Sequence, residues 1–209
     1  MTASATAAAL LNACEDLLVH ARHPSEVSSR RIADRAGTNP AAINYHFGGL
    51  EQLFIAVARS TYRRLNAERL TLLQKAVDAA QPEPAPADAL IRAIIGPSIR
   101  WALDPASAYP VLRHVITNYL GSENPEMYRA MIDEIEPHRL FIAHFMKIAP
   151  WLDEAAIGFR ISCLLGIRSQ LIRHRQRTEA LTMGRIDMSD PEALLDHIVS
   201  VAAPMFRLP

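Results

Sequence analysis

Apolar residues recur at helical spacing through nearly every segment of the chain, and no segment keeps the strict alternation expected of a β-strand. The first helix is predicted to start at Ser4 or Thr6 and to stop before His23. A long helix is predicted from about residue 49 to residue 80. Its apolar stripe comprises Leu53, Val57, Leu65, Leu72, Leu73 and Val77. The pattern therefore predicts an all-α protein.

Prolines and turn residues divide the second half of the chain into further helices. A proline-rich loop covers residues 81–87. Helices are predicted, in chain order, over residues 89–103, 109–120, 125–148, 153 to about 180, and 190–206. Gly96-Pro97 predicts a kink in the first of these helices, and Pro137 predicts a bend in the third.

Residues 28–47 contain two short helical patterns separated by a break at Gly37. Gly37 supplies the positive φ that ends the first helix, and Asn39 before Pro40 is a start signal for the second. The inward positions are Ile32, Ala33 and Ala36 in the first helix and Ile43 and Phe47 in the second. This is the layout of a helix-turn-helix, whose second helix enters the DNA major groove. The stretch points to a DNA-binding regulator.

The same stretch resembles the TetR family of bacterial transcriptional regulators over about residues 5–60. The matching motifs are Ile32-Ala33, Ala36-Gly37, Tyr45-His46-Phe47, and Glu51 with Leu53-Phe54. The resemblance implies an N-terminal three-helix helix-turn-helix domain and a C-terminal helical domain for ligand binding and dimerisation. We assign residues 1–48 to the first domain and residues 49–209 to the second. The implied partners are a double-stranded DNA operator, a small-molecule effector and a second copy of the chain.

Two positions depart from the family's pattern. Asn44 stands where many members carry a Tyr, and Leu50 stands where the family usually has a Lys that contacts a DNA phosphate. Leu50 cannot supply that charge, although the amides at a helix N-terminus can still bind an anion. Residues 44–49, with Asn118-Tyr119 and 152–154, resemble the branch that regulates fatty-acid metabolism, which implies an apolar or acyl effector.

Composition and charge limit the electrostatic contribution to DNA binding by such a protein. The chain has 209 residues, half of them apolar, and a formal net charge of zero. Residues 1–60 balance Arg22, Arg30, Arg31, Arg35 and Arg59 against Glu15, Asp16, Glu26, Asp34 and Glu51. A DNA-binding face must therefore arise from clustering and from dimer symmetry, and we expect a modest release of counterions.

The cysteines and the apolar segments bear on the cellular compartment of the protein. Cys14 and Cys163 both lie in apolar helical patterns, so we predict two buried thiols in a reducing cytoplasm. The chain shows no signal-peptide pattern and no stretch of the ~20 apolar residues that a membrane span requires. We therefore expect a cytoplasmic protein with no membrane partner.

The recognition helix supplies the candidate DNA-reading residues. Asn44 can bind adenine through both groups of its amide, and Ala41 can meet a thymine methyl group, as can Ala42. Tyr45 and His46 can bind phosphate or stack on a sugar. The alternative is that these side chains form the surface of a scaffold bundle.

Further candidates surround that helix. Thr38 and Asn39 lie at the turn, and Ser28 is expected to cap the first helix of the pair. Arg30 and Arg31 lie close enough to the DNA backbone to bind phosphate, and solvated charge is the equally weighted alternative.

Aromatic and polar residues recur on successive helices of the C-terminal half, where the resemblance implies an effector pocket. The candidates are Trp101, Tyr109, His114, Asn118, Tyr119, Met131, Phe141, His144, Phe145 and Arg168. An anionic effector would need Arg168 or an equivalent positive group. For any single one of these residues, ordinary core packing is the alternative.

Small residues at Gly158, Ser162 and Gly166 give one helix face that allows close approach. The resemblance implies dimerisation through the last two long helices, which here are residues 153–175 and 191–206. Internal packing of the same helices is the alternative.

Together these features favour a ligand-responsive, dimeric transcriptional regulator, most readily a repressor. The rival hypothesis is a helical small-molecule-binding or interaction protein that has lost DNA binding, which Leu50 and the neutral N-terminal region favour. We expect no enzyme, cofactor or metal site, because the chain has no Gly-rich phosphate loop and no catalytic constellation. The pairs His20/His23 and His138/His144 are expected to be surface or core residues.

Overall fold

The computed structural model describes residues 3–119 and 136–207, without the side chains of residues 115–119, and these described residues contain no β-strand. The prediction of an all-α protein is therefore confirmed. The α-helices, numbered over the described residues, are α1 Ala3–His20, α2 Ser29–Ala36, α3 Ala41–Phe47, α4 Leu50–Ala80, α5 Ala87–Leu103, α6 Tyr109–Tyr119, α7 Glu136–Ile148, α8 Glu154–Arg173, α9 Arg175–Leu181 and α10 Pro191–Ala202. Short 3-10 helices cover Pro24–Glu26 and Ala203–Phe206.

The chain forms two compact units, and α4 contributes to both. The first unit contains the described residues up to Arg64 and those from Ala106 to Tyr119. Its core joins α1, α2, α3 and the first half of α4 with one side chain of α6, Val111. Part of the region 49–209 thus packs with the helix-turn-helix. The buried residues of this core include Leu10, Cys14, Leu18, Ile32, Ile43, Leu53 and Val57.

The second unit comprises Leu65–Pro105 and the described residues from Glu136 onward. Helix α5 lies at its centre, with a continuous run of buried residues from Ala93 to Ile99. The helix continues through Pro97. The rings of Phe145 and Phe206 stack with their centroids 4.1 Å apart and bring α7 against the C-terminal 3-10 helix.

Several helix boundaries differ from the predictions. The single helix predicted from residue 153 to about residue 180 is interrupted at His174, where the backbone leaves helical geometry at φ −119° and ψ 39°. The last helix becomes a 3-10 helix at Ala203, because Pro204 has no N–H for a helical hydrogen bond. The predicted turn at 121–124 and the first part of the helix predicted over 125–148 lie outside the described residues.

Two further expectations are corrected on α8. Cys163 is exposed, whereas Cys14 is fully buried, because Cys163 lies on the outward face of its helix. The helix is also long and apolar enough to span a membrane, by length and composition only. Within the protomer, 17% of its apolar stretch is buried. The sequence pattern did not single it out, because Arg160 and Arg168 interrupt its run of apolar residues.

Candidate nucleic-acid interface and ligand-binding unit

Local hydrogen bonds define the start and the end of α2. The Ser28 hydroxyl accepts a hydrogen bond from the amide of Arg31 at 3.3 Å, which satisfies one of the free donors at the helix N-terminus. Gly37 ends the helix with φ 66° and ψ 35°, a left-handed conformation that glycine adopts without strain. The following amide, of Thr38, donates to Ala33 O at 3.0 Å, as in a typical left-handed helix end.

Helix α3 begins immediately after this turn. The Asn39 side-chain oxygen accepts a hydrogen bond from the amide of Ala42 at 3.1 Å, so its carbonyl group is used as a cap. Ile43 is buried in the core of the first unit and holds the helix against its neighbours. Gly48, with φ 80°, ends the helix. The pattern of capping and burial therefore fixes which face of α3 points outward.

The outward face of α3 carries most of the side chains predicted to read DNA. Tyr45 is 82% exposed, although it is a large aromatic residue. Asn44, Ala41 and Asn39 are also exposed. Tyr45 and His46 meet edge to face, with their ring centroids 4.9 Å apart. Of the residues predicted to face DNA, Thr38, Ala42 and His46 are half-buried.

The three arginines of α2 all have partners within the first unit. Arg30 lies 4.0 Å from the carboxylate of Asp34, and Arg35 pairs with Asp16 of α1 at 2.5 Å. Arg31 donates to the carbonyl oxygen of Glu26 at 2.5 Å. All three side chains remain solvent exposed, so these contacts orient them without burying their charge.

Leu50 is the first residue of α4 and is half-buried against the core of the first unit. Gly48 and Gly49, both with positive φ, precede it and turn the chain from α3 into α4. The side chain at this position therefore contributes apolar packing rather than charge.

In the second unit, a polar cluster lies among otherwise apolar helices. Arg69 of α4 is fully buried and donates to Asn66 Oδ1 at 2.7 Å and to Ser98 Oγ at 2.6 Å. Arg168 of α8 donates to the same Ser98 oxygen at 3.3 Å. Ser98 lies on α5 and is itself fully buried. Three helices thus bring polar side chains together at one serine.

The residues predicted to line the effector pocket fall into both units. Phe141 and Phe145 are fully buried in the core of the second unit. Trp101 is half-buried and donates from Nε1 to Glu68 Oε2 at 2.8 Å. His144 is half-buried, and desolvation by burial, then Lys147, lowers its pKa.

Two of the predicted residues belong to the first unit. Tyr109 is half-buried at the start of α6. His114 is buried, and its Nε2 lies 3.0 Å from the carbonyl oxygen of Ala21. The side chains of Asn118 and Tyr119, and all of Met131, lie outside the described residues.

The sequence analysis missed Asn66, Arg69 and Ser98. A signal for Arg69 was present, since it lies four residues after Leu65 and four before Leu73, inside the apolar stripe of α4. A charged residue at such a position must meet polar groups from other helices when it is buried. The sequence did not reveal which groups those would be.

A small apolar cavity of about 90 Å³ lies in the second unit, among side chains of α5, α8, α9 and α10. Its lining residues are Ile99, Ala102, Leu103, Leu171, Ile172, Arg175, Met188 and Leu194. Only one of these side chains, that of Arg175, carries a charge, so the cavity suits an apolar group.

Helices α8 and α10 each present exposed side chains along one face. On α8 these are Ala155, Phe159, Ser162, Cys163, Gly166, Gln170 and Arg173, spaced at three, four or seven residues as one helix face requires. Phe159 is 69% exposed, and Val201 of α10 is 65% exposed. Gly158 lies instead toward α7, where an added Cβ would be 3.9 Å from Ile142.

Comparisons with known proteins agree with this architecture. Residues 18–57 match the model of bacterial regulatory proteins of the tetR family. Residues 92–205, more than half of the chain, match the model of the tetracyclin repressor-like C-terminal domain. A comparison of the sequence with curated proteins finds no match.

Solved structures share the fold at low sequence identity. A protein from Mesorhizobium loti assigned to the TetR family superposes with a TM-score of 0.66 at 16% identity, covering 99% of this chain and 96% of its own. A transcriptional regulator from Pseudomonas aeruginosa gives 0.57 at 21% identity, with coverages of 96% and 93%. RolR in complex with resorcinol gives 0.61 at 14% identity, with coverages of 99% and 95%.

The two matched models cover the helix-turn-helix and most of the helices after it, in the order that the fold requires. The chain therefore belongs to the TetR family of transcriptional regulators, with an N-terminal helix-turn-helix DNA-binding domain and a C-terminal ligand-binding domain.

Proposed function

We propose that the protein is a homodimeric repressor that binds a pseudo-palindromic operator and leaves it when a small-molecule effector binds. In this proposal residues 1–48 contact DNA, and residues 49–209 bind the effector and form the dimer. The observation that carries the proposal is the outward face of α3, where Asn44 and Tyr45 are exposed opposite the buried Ile43. An exposed tyrosine beside an asparagine on a short, well-anchored helix suits contact with bases and phosphates in a major groove.

Dimerisation is supported by the exposed faces of α8 and α10. Phe159 and Val201 expose apolar surface, and Gly166 allows a second helix to come close. A two-fold axis that pairs these faces would bury the apolar surface of α8 against a second copy. The same pairing accounts for a long apolar helix that is mostly exposed in one protomer. Two recognition helices about 34 Å apart would then reach successive major grooves.

Release by an effector requires that the ligand bind the DNA-incompetent state more tightly than the competent one. Helix α4 is suited to transmit this difference, since its 31 residues belong to both compact units. A shift of α4 would change the spacing of the two recognition helices, so both half-sites could no longer be contacted together. The resorcinol found with RolR supports a small effector.

DNA binding is tested by fluorescence anisotropy with labelled fragments from upstream of the protein's own gene. We expect a salt-sensitive complex of one dimer with one fragment, and competition by unlabelled specific DNA well before competition by random DNA. Asn12→Ala, at an exposed asparagine of α1, is the matched control for Asn44→Ala. Absence of specific binding to any upstream fragment would contradict the proposal. A reporter fused to the promoter gives the sign of regulation, because deletion of a repressor raises expression from that promoter.

A second candidate is a ligand-binding protein that has lost DNA binding. It is favoured by the 2.5 Å pairing of Arg35 with Asp16 and by Leu50, which places an apolar side chain where the family usually has a Lys. This candidate predicts effector binding with no specific shift of DNA. The anisotropy measurement therefore separates the two.

A further inference from the structure

A run of basic residues surrounds the break between α8 and α9. Arg173 is the last residue of α8, His174 lies at the break, and Arg175 is the first residue of α9. Gln176 and Arg177 follow on α9. All five residues line one open cleft of about 450 Å³ in the second unit. This volume is within the range of ~300–1,000 Å³ that small-molecule sites occupy.

The break at His174 explains why these side chains share a cleft. Successive residues of an α-helix are turned by about 100°, so Arg173 and Arg175 would point to nearly opposite sides of an unbroken helix. At His174 the backbone instead adopts φ −119° and ψ 39°. A new helix starts at Arg175, and the arginines before and after the break line the same cleft.

The cleft has an excess of positive charge. Arg175 is balanced, because its Nε donates to Glu179 Oε1 at 2.8 Å and Asp187 also lies within electrostatic range of it. Arg173 and Arg177 are exposed, and neither has an ion-pair partner among the residues that the structure describes. Within that part of the chain, the charges of these two guanidinium groups are left without a carboxylate.

Phosphate is the anion that matches this arrangement. A guanidinium group presents paired N–H donors to two phosphate oxygens, and such charge-assisted bonds are stronger than neutral ones. A phosphate monoester carries a charge of about −1.5 to −2 at pH 7. It therefore balances both Arg173 and Arg177, whereas one carboxylate balances only one of them. The amide of Gln176 and the ring of His174 add further N–H donors to the cleft.

We propose that Arg173, Arg175 and Arg177 form a binding site for a small ligand that contains a phosphate or diphosphate group. A ~150 Å³ cavity holds the six carbon atoms of benzene, so the cleft also has room for a further part of the ligand. The site shares only Arg175 with the apolar cavity of the second unit. This inference does not rest on the proposed function, because it involves no residue of the helix-turn-helix and no release from DNA.

Isothermal titration of the full chain with inorganic pyrophosphate tests the proposal, with citrate as a carboxylate anion of similar charge at the same ionic strength. We expect one pyrophosphate per chain, and binding of citrate that is weaker by about tenfold or more. Arg173→Gln and Arg177→Gln should each weaken pyrophosphate binding about fivefold to tenfold. Arg177→Lys should recover only part of this loss, because lysine keeps the charge without the paired donors.

Arg185→Gln is the matched control, because Arg185 is another exposed arginine of the second unit and does not line the cleft. It should stay within about twofold of the parent protein. Circular dichroism establishes that each variant folds. Equal affinity for pyrophosphate and citrate, no binding of pyrophosphate at millimolar concentration, or equal losses in Arg177→Gln and Arg185→Gln would each overturn the proposal.

Two further measurements separate a small ligand from other sources of negative charge. Arg173 also lies on the exposed face of α8 that we propose meets a second copy. Light scattering of Arg173→Gln and Arg177→Gln should therefore give the mass of the parent protein, and a change to monomers would assign these arginines to a partner chain and overturn the proposal. DNA anisotropy of Arg177→Gln should match the parent protein. A loss of DNA affinity as large as the loss of pyrophosphate affinity would assign the cleft to DNA phosphates and equally overturn it.

Discussion

His114 and Ala21 are joined by a hydrogen bond from the imidazole Nε2–H to the carbonyl oxygen, at 3.0 Å and across 93 positions of sequence. Ala21 directly follows the C-terminal residue of α1, so the bond attaches α6 to the helix that supports the helix-turn-helix. Val111, one turn earlier on α6, lies in the same core. Helix α6 therefore belongs to the structural support of the helix-turn-helix in the first unit, although it lies far from the helix-turn-helix in sequence.

His114 makes the stability of the protein depend on pH. Burial lowers the pKa of His114 below its ordinary value of 6.5, and the bond to Ala21 and the charge of Glu26 only partly offset this. In acid the unfolded chain then binds more protons than the folded one, so stability is full above about pH 6.5 and falls as the pH drops below it.

We expect His114→Gln, which keeps a donor for Ala21 but cannot titrate, to lose part of this dependence. Urea unfolding at pH 7.5 and 5.5 measures it. His144→Gln should remove a separate part, because burial also lowers the pKa of His144. An unchanged difference between the two pH values in His114→Gln would contradict the prediction.

Asn44→Ala should weaken specific DNA binding by about fivefold to 150-fold, since a two-bond contact to adenine is worth ~1–3 kcal/mol. The melting temperature should not change, because the side chain is exposed. Anisotropy titration against specific and random DNA measures the effect. A loss that is equal for both kinds of DNA would assign Asn44 to the phosphate backbone instead of a base.

Leu50→Lys should strengthen DNA binding. The substitution adds a positive charge at the first residue of α4, where family members usually contact a phosphate, and should steepen the logarithmic salt dependence by about 0.9 for each subunit. Leu181→Lys, at a 75% exposed leucine of α9, adds the same charge elsewhere and serves as the control. Equal salt slopes for the two variants would show that position 50 does not approach DNA.

Phe159→Asp should convert the proposed dimer into a monomer without unfolding the protomer. The ring is 69% exposed in the protomer, so its loss costs little within one chain, whereas a carboxylate in an apolar interface is strongly unfavourable. Light scattering after size exclusion should give the mass of one chain instead of two. Leu181→Asp, also at an exposed leucine, should remain dimeric. A dimeric Phe159→Asp would move the interface away from this face of α8.

The two cysteines should react very differently with a thiol reagent. Burial, then the charge of Glu15, raises the pKa of Cys14 to about 12, so this thiol should react only when the protein unfolds. Cys163 is exposed on the face of α8 that contains Phe159. Its labelling should be slow in the dimer and fast in Phe159→Asp, with Cys163→Ser as the control. Labelling at the same rate in both proteins would count against burial of Cys163 by a partner.

The sequence by itself determined the helix-turn-helix. The cap at Ser28, the left-handed turn at Gly37 and the burial of Ile43 depend on side chains within one or two helical turns of each other. Such local contacts follow from residue type and spacing, and so they could be predicted. Local patterns did not predict the break at His174, where the backbone geometry of a single residue separates two helices.

Only the tertiary structure decided the rest. Ser98 meets Arg69 from 29 positions away and Arg168 from 70, and neither meeting follows from any local pattern. The exposure of Cys163 likewise depends on which face of α8 the other helices cover. Contacts of this kind are set by how helices pack against one another, because a one-residue rotation of a helix turns each side chain by about 100°. The sequence contains the polar groups, and the packing of α4, α5 and α8 brings them to one point.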